Sequence, residues 1–292
     1  MSLFVDYTLN GCTEGMIFAA LALALVLIFR ATRVVNFAQG AMAMMTTFIA
    51  STLIDHDLGY WWAFAAALGI GFALGAVVEL VLMKRLEGRS ELNPVIVTIG
   101  LLVVLEGIAG AVYGDSSRGF PAAYSQSGLV VGHERIAFSH FDLFILVAVL
   151  VLVGANLLLF RATTLGLRMR AAAYAREVAR LLGVRVGWLL TLGWALAGVA
   201  GSLAGLLTAP TSVFGPYYMD LDLVYAFTAA VIGGLDSPVG ALAGGLIAGL
   251  CTSYVGGYLG SELQPLGALV LLTVTLMARP QGIFARASTR VV

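Results

Sequence analysis

Apolar residues in this chain fall in long unbroken runs rather than in alternation. Nine such runs cover residues 13–29, 34–54, 61–83, 93–114, 141–160, 187–209, 221–235, 238–259 and 262–278. A helix crosses the bilayer hydrocarbon with about 20 apolar residues, whereas barrel strands alternate over roughly 10. The runs at 61–83 and 141–160 are continuous over that length, so the pattern predicts an all-α polytopic membrane protein: one transmembrane domain over residues 1–292. The seventh run is short and is separated from the eighth only by Asp236-Ser237-Pro238. That pair reads either as two crossings or as a helical hairpin that does not fully cross; about eight or nine transmembrane helices are expected.

Composition strengthens this picture and narrows the function. The chain is 60% hydrophobic and 11% charged, against about 25% charged for soluble domains. Its 16 basic and 16 acidic residues cancel, with no aromatic-studded basic stripe, so nucleic-acid binding and soluble enzymology are set aside. Lys and Arg concentrate in cytoplasmic loops. With the N-terminus outside, the inner side receives Arg30, Arg33, Lys84, Arg85, Arg89, Arg161, Arg168, Arg170, Arg176, Arg180, Arg185, Arg279, Arg286 and Arg290, leaving Arg118 and Arg135 outside. The predicted topology is N-out, C-in. The first 29 residues carry no Lys or Arg, so a secretory n-region is missing and the first run is expected to be retained. Cys12 and Cys251 are too few for a disulfide framework.

Two loops are long: the outer stretch 115–140 and the inner stretch 161–186. Neither reaches the roughly 40 residues of the smallest stapled domains, so any energy-coupling domain belongs to another chain. The inner stretch holds Arg161, Arg168, Arg170, Arg176, Arg180 and Arg185, lacks Pro and Gly from Leu167 to Leu182, and has Gly183 where a helix would end. A short cytoplasmic helix is predicted, offering Arg168, Arg176, Glu177 and Arg180 to a partner; alternatively its arginines meet lipid phosphates. A phosphate-cradling loop needs Gly-x4-Gly-Lys-Ser/Thr, but Lys84, the only lysine, lies in Leu-Met-Lys-Arg-Leu. His56, His133 and His140 fall in outer loops, and no hydrolase or metal-ligand spacing occurs. No bound cofactor, no metal and no catalytic residue are expected.

Polar groups inside the runs are the remaining signal. Glu106 lies 13 residues beyond Asn93, about 20 Å along a helix. A carboxyl that deep either lines a pathway or bonds a neighbouring helix. Glu79, five residues before Lys84, is expected to snorkel to the interface. Asn36 and Gln39 open the second run, where their amides either satisfy a helix start or line an inner mouth. Gly233, Gly234, Gly240, Gly244, Gly245 and Gly249 suit close helix packing, and Gly-interrupted segments also mark transport paths.

Five stretches carry a resemblance. They are Val35-Asn36-Phe37-Ala38-Gln39-Gly40; Thr98-Ile99-Gly100-Leu101 with Leu105-Glu106-Gly107; Gly166 to Ala171 with Glu177, Ala179 and Leu182-Gly183-Val184; Ala230 to Ser237 with Gly240-Ala241 and Gly244-Gly245; and Arg279-Pro280-Gln281-Gly282-Ile283-Phe284. In this order they resemble the permeases of branched-chain amino acid type ABC importers, the Liv or hydrophobic amino acid transporter group. Gln39 stands where that family often has His, and Ala175 where a polar residue is common. The resemblance implies a permease in a bacterial or archaeal plasma membrane, working with two cytoplasmic ATPases, a second permease (a related chain or a second copy) and an extracytoplasmic solute-binding protein. It implies coupling through Arg168, Arg170, Arg176, Glu177, Arg180 and Gly183. It brings Thr98 beside Asn36, Gln39 and Glu106 as candidate pathway residues. The rival from another class is an ion-coupled carrier or channel with Glu106 as its proton or ion site.

Overall fold

The computed structural model describes residues 3–90, 92–114, 116–131 and 134–284. Arg286, Arg290, Asp115 and His133 therefore lie outside the described residues. Among the described residues eleven α-helices follow one another: α1 (Leu3–Thr32), α2 (Gln39–Asp55), α3 (Tyr60–Val81), α4 (Leu92–Tyr113), α5 (His140–Ala162), α6 (Thr164–Tyr174), α7 (Arg176–Leu181), α8 (Val186–Thr208), α9 (Asp220–Gly233), α10 (Pro238–Tyr258) and α11 (Gln264–Ala278). The 115–140 stretch adds something the run pattern did not contain, an antiparallel hairpin of β1 (Gly128–Val131) and β2 (Glu134–Ser139). The fold is thus helical apart from this ribbon. Ser139 ends it and starts α5 through a capping box: its Oγ accepts from the Asp142 N–H at 3.2 Å, and the Asp142 carboxylate accepts from the Ser139 N–H at 2.6 Å.

Among the described residues, seven helices are long and apolar enough to cross a membrane: α1, α3 with its 3-10 extension to Leu86, α4, α5, α8, α10 and α11 with its 3-10 lead from Ser261. The runs expected at 34–54 and 221–235 yield shorter helices. α2 has 17 residues and α9 has 14, about 25 and 21 Å at 1.5 Å per residue. α2 starts late because residues 34–38 are taken up by a turn in which the Asn36 carboxamide accepts from the Ala38 N–H at 3.0 Å. α9 ends at Gly234, whose φ of +93° is left-handed territory that glycine enters freely.

The molecule has two unlike ends. One gathers the hairpin and the start of α1, where Asp6 accepts from the Ala137 N–H at 3.3 Å, with Trp61 and Trp62 exposed at the start of α3. The other gathers α6, α7, the α9–α10 turn and the stretch after α11, where the Ile283 N–H donates to the Ile232 carbonyl at 2.8 Å; Trp188 is exposed there. Trp residues at both ends of a helical bundle suit two membrane interfaces.

The centre is built by glycines. α1 packs most extensively on α10 and α8, and α3 on α8. A Cβ on Gly15 would lie 2.8 Å from the Gly245 carbonyl oxygen, and one on Gly249 would lie 2.3 Å from the Gly15 Cα. Where α3 crosses α8, a Cβ on Gly198 would lie 2.0 Å from the Gly71 carbonyl oxygen. Small residues four apart form one stripe on a helix and let backbones approach this closely.

Candidate functional site

The inner stretch folds as a hook rather than one helix. Thr163 caps α6 by accepting from the Gly166 N–H at 3.0 Å. Gly166 is needed for the return, since a Cβ there would lie 2.2 Å from the Leu159 carbonyl oxygen. The single helix expected over 167–182 is broken at Ala175, with φ −144° and ψ 86°. No Pro or Gly marks this break; tertiary anchors hold its two sides apart. Arg170 donates to the Phe160 carbonyl at the end of α5, while Arg176 donates to the Ala31 carbonyl at the end of α1 at 2.8 Å. α7 ends as the sequence predicts: Gly183 has φ +78°, and the Val184 N–H reaches back to the Ala179 carbonyl at 3.0 Å.

These anchors change the reading of the arginines. Arg180 was expected to face a partner, yet it pairs with Glu87 of the α3–α4 loop at 3.3 Å. Arg170, Arg176 and Arg180 fix the hook to three separate elements of the bundle. Among its exposed charges the hook also presents apolar side chains outward: Tyr174, Leu181 and Leu182 are 94%, 88% and 78% exposed, on a segment outside every span-length helix. Glu177 is exposed beside them in the first turn of α7. Arg168 and Arg185 instead line a recess of about 620 Å³ with Gly183 and Trp188. Exposed Tyr174, Leu181 and Leu182 beside the charged Glu177 and Arg180 have the mixed composition that protein-docking surfaces use.

The other candidates sit elsewhere. Asn36 and Gln39 are fully buried; the Asn36 amide donates to Gln39 Oε1 at 2.9 Å, and the Gln39 amide donates to the Ala197 carbonyl of α8 at 3.1 Å. They tie the start of α2 to α8 and line no open mouth in this conformation. Thr98 is also buried and returns its hydroxyl to Val95 of its own helix at 2.9 Å. Glu106 is half-buried and faces the Asp220 carboxyl of α9 within hydrogen-bonding reach. Glu79 does not snorkel: it is buried and accepts a hydrogen bond from Thr191 of α8. The glycines take up positions of close approach. A Cβ on Gly240 would lie 2.1 Å from the Gly233 carbonyl oxygen, one on Gly244 would lie 2.0 Å from that of Ala229, and one on Gly245 would lie 2.5 Å from that of Gly15. Gly234 lies under the C-terminal stretch, 2.5 Å from where a Gly282 Cβ would be.

Sequence reasoning missed an aromatic layer at the hairpin end. Phe48 stacks on Tyr113 at 4.5 Å and lies 4.4 Å from Phe214, which lies 5.8 Å from Phe120. The only sequence signal was aromatic residues near the ends of separate runs. Beneath the layer the Tyr218 hydroxyl donates to the Gly205 carbonyl at 3.0 Å. Among the described residues no group of three or more His, Cys, Asp or Glu could hold a metal ion.

Comparison with known proteins agrees with the resemblance. The family profile described as "Branched-chain amino acid transport system / permease component" matches residues 7–278. The chain is 30% identical to the high-affinity branched-chain amino acid transport system permease protein BraD of Pseudomonas aeruginosa, covering 97% of this chain and 96% of that one. It is 27% identical to the corresponding LivH protein of Escherichia coli K12 over the same shares. Its fold is similar to an inward-facing metal-chelate type ABC transporter, with TM-score 0.52, 19% identity and coverage of 95% and 89%. With a match over nearly its whole length, the chain belongs to the family of permease components of branched-chain amino acid transport systems.

Proposed function

We propose that this chain is the membrane-spanning subunit of an ATP-driven importer that moves a branched-chain amino acid or a similar small solute inward by alternating access. Its hook docks on a separate ATPase. The observation that carries the reading is the hook: a segment outside the spans, fixed by Arg170, Arg176 and Arg180 to α5, α1 and the α3–α4 loop, with Tyr174, Leu181 and Leu182 bare. Such anchoring lets a push on the hook move three parts of the bundle together. The basic residues collect at the hook end, so the positive-inside rule supports N-out, C-in, with the hook in the cytoplasm. With the hook inside, α2 must run from the hook end to the aromatic layer at the hairpin end and α9 must return to the α9–α10 turn, so these two shorter helices would cross together with α1, α3, α4, α5, α8, α10 and α11, giving the nine crossings of the run pattern. Two ATPases, a second permease and an extracytoplasmic binding protein complete the assembly, and the hairpin end is where solute is handed over.

One specific observation favours a second reading. The carboxyls of Glu106 and Asp220 face each other across α4 and α9, an arrangement that suits a proton-linked carrier. A gentle-detergent pull-down of the chain from native membranes, assayed for vanadate-sensitive ATPase activity, separates the two. Recovery of the ATPase with wild type and its loss with Leu181→Asp/Leu182→Asp supports the importer. A clean preparation without ATPase, and uptake that collapses with the proton gradient, supports the carrier.

A further inference from the structure

Among the span-length helices α4 is the least tied in. α1, α3, α5, α8, α10 and α11 each pack extensively on two or more helices, whereas α4 packs on α2 and on the 3-10 turn at residues 83–86 that precedes it. Its buried residues, Thr98, Leu105 and Ala109, are spaced as one narrow stripe. Leu92, Ile96, Val103, Val104 and Val112 are all more than half exposed. α11 is barer still, but α9 and α10 both hold it. The cost of local movement follows the buried contacts that must be given up, so a span with a single helical neighbour moves most easily.

Both ends of α4 carry a glycine in the left-handed region. Gly88 has φ +78° and Gly114 has φ +74°, and a Cβ on either would meet nothing within 4 Å. Glycine crosses between backbone wells there at little cost, and hinges are residues of this kind at the ends of elements. In other respects the two ends differ. At the hairpin end the Tyr113 ring stacks on Phe48 at 4.5 Å, and the Tyr113 carbonyl accepts from the Arg118 guanidinium at 2.7 Å. At the hook end Glu87, the residue before the hinge, is the partner of Arg180 on α7. One end is thus a pivot and the other a handle. Along the helix Glu106 lies about 10 Å from Tyr113, Thr98 about 22 Å and Leu92 about 31 Å. A tilt that opens the hook end therefore leaves the Glu106 carboxyl close to where it is.

We propose that α4 is the moving span: drawn by the hook through Arg180 and Glu87, it tilts about its hairpin-end pivot between hinges at Gly88 and Gly114, and parts from α2 at Thr98. This rests on the importer reading and names the element on which the hook acts. The test uses proteoliposomes holding the whole assembly, with Cys12→Ala and Cys251→Ala in this chain as background. Labelling of Thr98→Cys by a maleimide supplied on the hook side is measured with and without trapping by ATP and vanadate. Expected is a rate that changes about tenfold on trapping, against no change for Ala109→Cys, equally buried but one turn from the pivot. Arg180→Glu should abolish the change, and its combination with Glu87→Arg should restore it. Gly88→Ala should reduce ATP-driven uptake about tenfold. Gly260→Ala places a side chain at φ +118° in equally open space away from α4; it should lower the unfolding midpoint at least as much, yet keep uptake. Equal labelling of Thr98→Cys in both states while ATP-driven uptake continues would overturn this inference alone, as would equal uptake in the two glycine variants. Uptake without ATP in the unsubstituted assembly would overturn the importer reading and this inference with it.

Discussion

The spans at the centre of this protein and those at its rim are all apolar enough to cross a bilayer, yet how apolar a span is does not decide where it sits. α5, with mean hydropathy 3.0, has only 28% of its most apolar window buried, whereas α8, at 1.7, has 78% buried. α11, at 1.4, is the least buried at 6%. Hydropathy therefore marks which helices enter the bilayer but does not rank them by burial, because lipid tails are as apolar as any side chain. Glycine spacing does separate the two groups. Gly11 and Gly15, Gly71 and Gly75, Gly201 and Gly205, Gly240 and Gly244, and Gly245 and Gly249 are four apart, and each would place a Cβ within 3.2 Å of another element. On the rim helices Gly100, Gly107 and Gly154 lack that spacing and have open space around them.

Substitution at these glycines is the strongest way to break the contrast. Gly244→Leu forces α9 and α10 apart, at a cost of about 3 kcal/mol or more. The expected outcome is loss of monodisperse protein on size exclusion, while Gly100→Ala on α4 leaves the profile unchanged. Next in size is Gln39→Leu, which strands the Ala197 carbonyl and the Asn36 amide in the core. It should lower stability by about 2 kcal/mol, read as a lower unfolding midpoint in detergent.

At the hook the effects are smaller and local. Arg176→Gln removes the bond to the Ala31 carbonyl and should speed hydrogen exchange in α7 about tenfold, the equivalent of roughly 1.4 kcal/mol of local opening. Global unfolding should be little changed. The smallest effect belongs to Arg180→Glu. Its pair with Glu87 is about half exposed, so solvent screening limits its worth to about 0–1 kcal/mol. The charge swap Arg180→Glu with Glu87→Arg should restore the ATP-linked uptake that the single change reduces.

Much of this is legible in the amino-acid sequence alone, and what is not has physical reasons. Continuous apolar runs identify the long helices, and the four-residue glycine spacing around Gly240 and Gly244 was visible as a packing device. Gly183 was readable as a helix end because only its left-handed φ closes that turn. The break at Ala175 was not, since nothing in its own propensity opposes a helix; bonds from its two sides to Phe160 on α5 and to Ala31, 145 residues from Arg176, accompany it. The same holds for Glu79, whose sequence neighbour Lys84 suggested an interface and whose actual partner, Thr191, lies on another helix. The hairpin escaped because the 115–140 stretch was read for its length alone.

The central claim is that motion in the spans is driven through the hook by a separate ATPase. The most direct measurement is uptake of a labelled branched-chain amino acid by proteoliposomes holding the whole assembly and its binding protein, with ATP supplied on the hook side, for wild type and Leu181→Asp/Leu182→Asp. Expected is uptake that requires ATP and is lost in the double variant, with the permease still folded. Uptake that continues without ATP, follows the proton gradient and disappears with Glu106→Gln would contradict it.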